Sequence, residues 1–436
     1  MTKTIMIIGW QNPKFNVKGI SDGFQDAGDT VIRVAADLDS TNRAGDFDYH
    51  LMYEMLSHYP FKPQDQWVQK PEKIKTIHPK GSPHAGEKYL LSQKQLNLAK
   101  YIGDLAIRFN VLEFLLSHKL SVDEIFIGQC DFLLDMTGLD YWFYYTEDYK
   151  PMLPYGGHMK GLFYAFVGGD EIFKRSFAYE FNHATYPAKF VAHGMDRMAI
   201  PATIPTWEER PIGIGFKGLL HMAEKARDFK LRYMYDNRRH FVQLTDAFMN
   251  TPEFTKRYPT FTFQFSDHTN FGEYITFMLN TKVAINLPGI DGWINQRQYE
   301  ALGFGCLLLQ YYYPELHKLG FINRKNCLVF ENDRELADLI VWIAEHPFES
   351  AEIAAAGHQL FYDAKMAWQD RALEIKAQMD SEVPETWIDW QNRLAEYENE
   401  LRPKYPLPYT EDTRQYKIDN PHPTTTTVHG DDTPYI

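Results

Sequence analysis

The stretch that decides the fold reads KVAINLPGIDGWINQRQYEALGFGCLLLQY and covers residues 282–311. Apolar runs at 282–288 and 306–311 predict two buried β-strands. Between them lie a glycine-rich turn and a short helical pattern that closes at Gly303 and Gly305, where glycine lets the backbone leave the helix. Strand, helix and strand in this order are typical of parallel strands joined by a helical crossover.

The same alternation extends over most of the chain. In the second half, further strands are predicted at 212–218, 260–265 and 326–330, and helices near 232–250, 273–280 and about 350–379. In the first half, strands are predicted at 4–10, 30–36, 124–129, 141–146, 162–167 and 189–194. Asn332 with Glu335 three residues later predicts a capping box that opens one more helix.

These patterns predict an α/β protein with two Rossmann-like parallel-sheet lobes, joined by the Pro-containing segment 199–211. We expect a first domain over 1–205, with an insertion or long loop at 58–90, and a second domain over 206–380. Residues 381–436 are expected to form a C-terminal helix and a flexible polar tail.

The bulk composition limits the classes of function. The chain has 436 residues and a formal net charge of −13, which disfavours general nucleic-acid binding. Its three cysteines, Cys130, Cys306 and Cys327, have no metal-ligand spacing and indicate a reducing compartment. No run has the length of a membrane span or a signal peptide. We therefore expect a soluble cytoplasmic protein.

The loop after the strand at 282–288 is a candidate phosphate site, because ligands collect at the carboxyl ends of parallel strands. The next helix is predicted to begin at Ile294 or Asn295, with Asn295 and Gln298 spaced like a cap and its partner. Its first N–H groups suit phosphate oxygens, and Arg297 adds a forked cation. Glu300 could accept hydrogen bonds from a sugar diol. Alternatively, Arg297 and Glu300 form an ordinary surface pair.

Two further candidates follow the strand at 212–218. Lys217 and Gly218 lie at its carboxyl end, where an ordinary strand-end lysine is the alternative. Arg238 and Arg239 lie in the following helical pattern, and the solvated face of that helix would explain at least one of them equally well.

The run PGIDGWINQRQYEALGFGCLLLQYYYPEL (288–316) resembles the donor-binding segment of GT-B glycosyltransferases, closest to the CgeB-like and exostosin-like groups with their pattern PRG…R..EAL..G..P. The resemblance covers about 212–375. It includes the strand end Phe216–Gly218, the Arg238–Arg239 pair, and Glu273 with Tyr274 before an apolar helix. The first lobe resembles these groups only in outline, through YYTEDY near its fourth strand.

The resemblance implies a GT-B fold, two lobes that face each other across a cleft, and a nucleotide-sugar donor, with a UDP-sugar favoured. It implies that Glu300 binds the donor ribose and that Arg297 and Lys217 bind the diphosphate. The loop 289–293 would bind the sugar or phosphate, through residues including Gly289, Asp291, Gly292 and Trp293. Retaining members carry a second glutamate where this chain has Gly292, so retention or inversion of the anomeric configuration stays open.

A base, or an electrostatic partner, is expected from the first lobe. Glu147 and Asp148 follow the strand at 141–146, and His158 is predicted to lie in a glycine-rich loop. His193 and Asp196 follow the strand at 189–194. A histidine in a loop is also commonly a plain surface residue.

Three classes of function remain open at this stage. The first is a metal-independent hexosyl- or pentosyltransferase that acts on an acceptor hydroxyl, since a helix dipole and cations can neutralise the leaving diphosphate. The second is a nucleotide-sugar epimerase or hydrolase of the same architecture, and the third is a non-catalytic sugar-nucleotide-binding module. The acceptor stays unknown: a polysaccharide, a protein, a small molecule or a modified DNA base are all compatible with the sequence. No cofactor besides the donor and no metal is expected.

Overall fold

The structure is a computed structural model of the chain. It describes residues 2–9, 16–35, 49–50, 72–74, 88–90, 108–128, 130, 133–145, 154, 156–165, 187–218, 220, 229–266, 271–287, 295–313 and 316–381. These residues form two compact units. The first comprises the described residues within Met1–Ile204, Gly289–Phe304 and Phe361–Ala395, and the second those within Pro205–Pro288 and Gly305–Leu360.

The described strands are β1 (Thr4–Gly9), β2 (Thr30–Ala35), β3 (Tyr49–His50), β4 (Glu72–Ile74), β5 (Lys88–Leu90), β6 (Arg108–Asn110), β7 (Glu124–Ile127), β8 (Leu133–Asp135), β9 (Asp140–Tyr145), β10 (His158–Tyr164), β11 (Ala188–Phe190), β12 (Ile212–Lys217), β13 (Phe263–Ser266), β14 (Thr281–Asn286), β15 (Leu307–Tyr311) and β16 (Leu328–Phe330). The described helices are α1 (Asn16–Asp26), α2 (Val111–Ser117), α3 (Phe229–Met249), α4 (Pro252–Arg257), α5 (Phe271–Leu279), α6 (Gln296–Gly303), α7 (Asp333–Glu345), α8 (Pro347–Asp363) and α9 (Trp368–Met379).

The first unit is built on a seven-stranded sheet of order β11-β10-β9-β7-β1-β2-β3, in which every described pairing is parallel. Alternate residues of its central strands, among them Ile5, Ile7 and Phe126, face a core that α1 and α9 cover. Burial of side chains of this size stabilises the fold by about 1.5–3 kcal/mol each.

Glycines allow α1 and α9 to pack closely in this unit. A Cβ atom on Gly23 would lie 2.4 Å from the carbonyl oxygen of Gln369 and 2.5 Å from the Cβ of Ala372. Beyond the glycine contact, Lys376 on α9 forms an ion pair of 2.7 Å with the buried Asp29. The segment after α8 is therefore an integral part of the first unit's core.

The second unit is built on a five-stranded parallel sheet of order β13-β12-β14-β15-β16. Its inner face carries the buried side chains of Ile214, Ile285 and Leu309. Buried apolar residues of α3 and α7, such as Phe241 and Leu336, pack on the same core. The predicted fold class, α/β with two parallel-sheet units, is confirmed.

The Pro-containing segment contributes a buried arginine to the second unit. Arg210 is 2% exposed, and its Nη1 donates to the carbonyl oxygens of Met278 (3.2 Å) and Thr281 (2.8 Å). Its Nε donates to the carbonyl oxygen of Pro205 at 3.2 Å. The guanidinium thus ties the connecting segment to the end of α5 and the start of β14.

Two element predictions are wrong in detail. β10 begins at His158 instead of residue 162, and the helical stretch predicted at 350–379 is two helices, α8 and α9. They are separated where Lys365 has a positive φ of 51° and Ala367 pairs with Met195 in an isolated bridge. Of the predicted insertion 58–90, β4 and β5 are described and pair antiparallel. The predicted C-terminal helix and tail lie outside the described residues, except residue 381.

Candidate functional site

The order of strands in the second sheet points to one candidate site. From β12, the chain first moves outward to β13 and then returns to the other side of β12 with β14. Ligands of open parallel sheets bind at such a switch point, beyond the carboxyl ends of the two strands that part there. In this unit those ends are Lys217 on β12 and Asn286 on β14.

Four polar side chains form a row across the carboxyl ends of this sheet. The strand registers pair Lys217 with Ser266 and Asn286 with Gln310. The β12–β14 register is described as far as Gly215 opposite Ala284, and continuing it by two residues would place Lys217 opposite Asn286. Because side chains alternate between faces, all four point away from the core-facing neighbours such as Phe216 and Ile285. We call Ser266, Lys217, Asn286 and Gln310 the carboxyl-edge row.

Lys217 places a buried ammonium group in this row. The residue is 7% exposed, and its Nζ donates to the carbonyl oxygen of Glu273 at 3.3 Å and lies 5.0 Å from the centre of the Phe277 ring. Burial lowers the pKa of Lys217 below its ordinary value, and the negative charge of Glu273 opposes this shift. A buried cation that has lost contact with water is stabilised when an anion binds next to it. Gly218 continues the edge by donating its N–H to the carbonyl oxygen of Ser266 at 3.0 Å.

Asn286 and Gln310 form a buried amide pair next to Lys217. Asn286 is 0% exposed and Gln310 is 1% exposed. The Nδ2 of Asn286 donates to the Oε1 of Gln310 at 2.7 Å, and the Nε2 of Gln310 donates to the carbonyl oxygen of Tyr311 at 2.7 Å. Polar side chains within the apolar strands AINL and LLLQ were the signal from which the sequence could have identified this pair.

One arginine of the predicted pair on α3 contacts the chain just beyond the end of β12. The Nη2 of Arg239 donates to the carbonyl oxygen of Leu220 at 3.3 Å, and Arg238 is half-buried. The neighbouring His240 contacts Asp333, the first residue of α7, with an Nε2–Oδ1 distance of 2.9 Å. This hydrogen bond raises the pKa of His240, while burial opposes the shift. These contacts give α3 a structural role at the edge.

Helix α6 carries the predicted Arg297 and Glu300, and its residues group with the first unit. The helix begins at Gln296, just after the predicted start at Ile294 or Asn295, and the prediction that Asn295 caps it is confirmed. The predicted partner is wrong, because the Asn295 side chain accepts from the N–H of Arg297 at 3.0 Å instead of that of Gln298. Arg297 is half-buried and Glu300 is 8% exposed. Among the described residues, Lys217 and Glu300 thus belong to different units.

Packing within the first unit holds α6. Tyr299 is buried, and its burial raises the pKa of its hydroxyl to about 12 although the positive charge of Arg371 opposes this shift. A Cβ atom on Gly303 would lie 2.5 Å from the Sδ of Met195. Gly305 follows with a φ of 68°, the left-handed conformation that ends the helix as predicted.

Of the three predicted catalytic residues, His158 is the one that the structure describes. Glu147 and Asp148 lie outside the described residues, as do Gly289, Asp291, Gly292 and Trp293. The prediction that His158 lies in a loop is wrong: it is the first residue of β10 and pairs with Asp140 in the sheet. It therefore lies at the amino edge of the first sheet, opposite the carboxyl ends where ligands bind, and is 72% exposed.

His193 and Asp196 have packing partners within the first unit. The Oδ1 of Asp196 accepts from the N–H of Met198 at 3.0 Å and from the Nε2 of Gln369 at 2.7 Å. The ring of His193 packs edge-on against Trp368, with ring centres 5.9 Å apart. These contacts account for both residues as parts of the fold.

The described residues contain neither a metal-binding cluster nor a membrane-spanning helix. They contain no group of three or more His, Cys, Asp or Glu side chains arranged to hold a metal ion. Within the same residues, no helix combines the length and apolar character needed to cross a bilayer.

Comparison with known proteins gives one family match, which lies within the second half of the chain. Residues 227–377 match a family described as glycosyl transferase-like. The matched segment contains β13–β16, so this part of the chain is similar to the class that the sequence predicted. A comparison with curated proteins found no match.

Among solved structures, the chain is similar to a sucrose-phosphate synthase from Thermosynechococcus elongatus, with 11% identity, a TM-score of 0.46, and coverage of 86% of this chain and 97% of that chain. It is also similar to a glycosyltransferase from Rickettsia africae ESF-5, with 11% identity, a TM-score of 0.47, and coverage of 88% and 100%. A third is Anabaena Alr3699/HepE in complex with UDP-glucose, with 10% identity, a TM-score of 0.45, and coverage of 86% and 99%. Similarities this low carry no functional argument.

Proposed function

We propose that the chain is a glycosyltransferase that moves a sugar from a nucleotide-diphosphate sugar to an acceptor hydroxyl. One observation carries the proposal: a buried lysine, Lys217, lies at the switch point of a parallel sheet, and the segment that follows matches a glycosyl transferase-like family. The switch point is where a ligand of such a sheet binds. The lysine carries a positive charge that suits a phosphate, and the family match indicates the class of reaction.

The charge of Lys217 suits a diphosphate. In the transfer, the bond between the anomeric carbon and the phosphate oxygen breaks, and a bond to the acceptor oxygen forms. The nucleoside diphosphate leaves with an additional negative charge, and a preorganised cation stabilises that charge best in a site from which water is excluded. We propose that Lys217 supplies this stabilisation and that the reaction needs no metal.

The roles of Arg297 and Glu300 remain proposals that must be tested one at a time. The confirmed N-cap at Asn295 supports an α6 start with oriented N–H groups, and Arg297 is proposed to bind phosphate beside it. Glu300, a buried carboxylate, is proposed to bind the ribose diol. As the resemblance implies, we propose that the donor is a UDP-sugar and that the loop residues Gly289, Asp291, Gly292 and Trp293 bind its sugar or phosphate. We also propose that the chain is related to the CgeB-like or exostosin-like groups.

We propose that a base of the first unit takes up the acceptor proton, and Glu147 and Asp148 are the candidates for that role. We do not propose His158 as the base, because it lies at the amino edge of the first sheet. The acceptor itself stays open, and so does the choice between retention and inversion.

A thermal-shift panel of UDP-, GDP-, ADP- and CMP-sugars tests donor binding. A ligand at about a hundred times its Kd should stabilise the protein by about 2.7 kcal/mol and raise Tm accordingly. Glu300→Ala should abolish the shift. The matched control is Glu335→Ala, which also removes a buried carboxylate, one that accepts from the N–H of Glu331 at 2.6 Å, and should lower the starting Tm but keep the shift.

The outcomes separate the three classes of function. Sugar transfer to an added acceptor supports the proposal. Turnover of the donor without acceptor would indicate an epimerase or hydrolase, and binding with no turnover would indicate a binding module. If no nucleotide sugar shifts Tm, the proposal is wrong. Equal affinity of the Arg297→Ala variant and the wild type for free nucleoside diphosphate would refute the phosphate role of Arg297.

A further inference from the structure

The hydrogen bonds of the amide pair fix which atom of Asn286 accepts. The Nε2 of Gln310 must face the carbonyl oxygen of Tyr311, because a carbonyl only accepts hydrogen bonds. The Oε1 of Gln310 therefore faces Asn286, which must present its Nδ2 there. The Oδ1 of Asn286 is consequently an acceptor directed away from Gln310.

This acceptor lacks a donor within the part of the chain that the structure describes. The Oδ1 of Asn286 is buried with no hydrogen-bond partner among the described residues, and the whole residue is 0% exposed. Burying an acceptor without a partner is costly, and an apolar residue would fit the strand at no such cost. A buried acceptor without a partner among the described residues can take a hydrogen bond from a bound ligand.

The position of Asn286 limits what that partner can be. In the carboxyl-edge row, Asn286 lies one strand over from Lys217, and neighbouring strands are about 4.8 Å apart. The strand spacing sets the scale on which one ligand would have to place an anion for Lys217 and a donor group for Asn286. In a nucleotide-diphosphate sugar, hydroxyl groups of the ribose and of the transferred sugar lie that close to a phosphate.

We propose that Asn286 is a specificity-determining residue that accepts a hydrogen bond from a hydroxyl group of the donor, next to the phosphate on Lys217. This inference rests on the proposed function and adds to it a residue that reads the sugar portion of the ligand. Gln310 acts as a positioning residue, because it holds the Asn286 amide in the accepting orientation.

The test removes the acceptor together with its amide partner and costs, besides the bond between the two amides, the hydrogen bond to the carbonyl oxygen of Tyr311. The double variant Asn286→Leu/Gln310→Met replaces both amides by apolar side chains of similar shape, a change that can be nearly neutral for stability. Titration calorimetry then compares inorganic pyrophosphate, UDP and UDP-glucose, or the nucleotide and sugar that give the largest thermal shift. The affinity for UDP-glucose should fall about three- to tenfold, and that for pyrophosphate should stay unchanged.

The three ligands distinguish the sources of the hydroxyl. An equal fall for UDP and UDP-glucose assigns the contact to the ribose, whereas a fall for UDP-glucose alone assigns it to the transferred sugar. Unchanged affinity for both, or an equal loss for pyrophosphate, would overturn the inference. Failure of the wild type to bind any nucleotide sugar would instead overturn the proposed function.

Two further variants show whether a change in affinity is caused by misfolding. Asn286→Thr removes the amide acceptor by shortening the side chain, keeps a polar hydroxyl group at the position and suits a strand, so it should give the same pattern. Asn323→Leu is the matched control: Asn323 is also a buried amide of this unit, and its Oδ1 accepts from the N–H of Val329 at 3.0 Å. Asn323→Leu should lower Tm and leave all three affinities unchanged.

Discussion

Replacing Lys217 by methionine removes the ammonium group, which lies 5.0 Å from the centre of the Phe277 ring, and keeps most of the apolar stem. If the ammonium binds the diphosphate, the variant loses one hydrogen bond between charged groups, which contributes about 1.5–3 kcal/mol. Since 1.4 kcal/mol corresponds to a factor of ten, the affinity for a nucleoside diphosphate should fall about ten- to 150-fold.

The same change should stabilise the ligand-free protein. Burial lowers the pKa of Lys217 in the folded state below the ordinary value of 10.5, so folding at neutral pH includes the full cost of burying the charge. That cost is relieved only as pH rises through the lowered pKa towards 10.5. Lys217→Met should therefore raise Tm at neutral pH, with an advantage that shrinks in alkali.

Lys282 offers a matched control on the neighbouring strand. It lies near the start of β14, at the amino edge of the same sheet, and its ammonium is 6.0 Å from the centre of the Trp207 ring. Burial lowers its pKa as well, and the charge of Glu208 opposes the shift. Lys282→Met should thus also raise Tm, but it should leave nucleotide affinity unchanged, because the site lies at the opposite edge.

Isothermal titration of both variants with UDP and pyrophosphate, combined with thermal melts across pH, measures the two effects. Equal affinities of wild type and Lys217→Met would refute the phosphate role. A similar loss in Lys282→Met would also refute the reasoning, because it would show a general effect of net charge instead of a site at the carboxyl edge.

Three other predictions concern packing, pH and metal. Gly215→Ala should reduce the free energy of unfolding by about 1–3 kcal/mol in denaturant melts, because its Cβ would lie 2.8 Å from the Cζ of Phe277. Asp333→Asn should destabilise the protein by at most about 1 kcal/mol, since the pair formed by Asp333 and His240 is partly exposed. The hydrogen bond to Asp333 raises the pKa of His240, so the loss of stability should be full below pH 6.5 and vanish as pH rises through that raised pKa. Thermal melts at about pH 6 and about pH 9 would show this difference. EDTA should leave the rate of sugar transfer unchanged if Lys217 supplies the positive charge, and loss of activity that Mg²⁺ restores would contradict this.

Local patterns predicted the second sheet well, because its strands are apolar runs bounded by turns. The capping box was also readable, and the Oδ1 of Asn332 accepts from the N–H of Glu335 at 3.0 Å. The sequence did not show that β10 begins at His158, because pairing with Asp140 on β9 extends the strand into polar residues. Long-range pairing of this kind leaves no periodic signal along the chain.

The candidate site was predicted only in part. Lys217 was found because it follows an apolar strand, whereas Asn286 and Gln310 were missed because strand patterns give polar residues little weight. The grouping of α6 with the first unit could not be read from a continuous strand–helix–strand pattern. It depends on contacts such as that of Gly303 with Met195, residues far apart in the chain.

The buried guanidinium of Arg210 has a practical consequence for protein engineering. Residues 206–211 look like a spacer, yet lengthening the chain there would move the arginine away from the three carbonyl oxygens to which it donates hydrogen bonds. Ala202 and Thr203 are exposed and precede this anchor. A flexible peptide or a protease cleavage sequence should be tolerated at Ala202–Thr203, whereas the same insertion directly before Arg210 should lower the yield of folded protein.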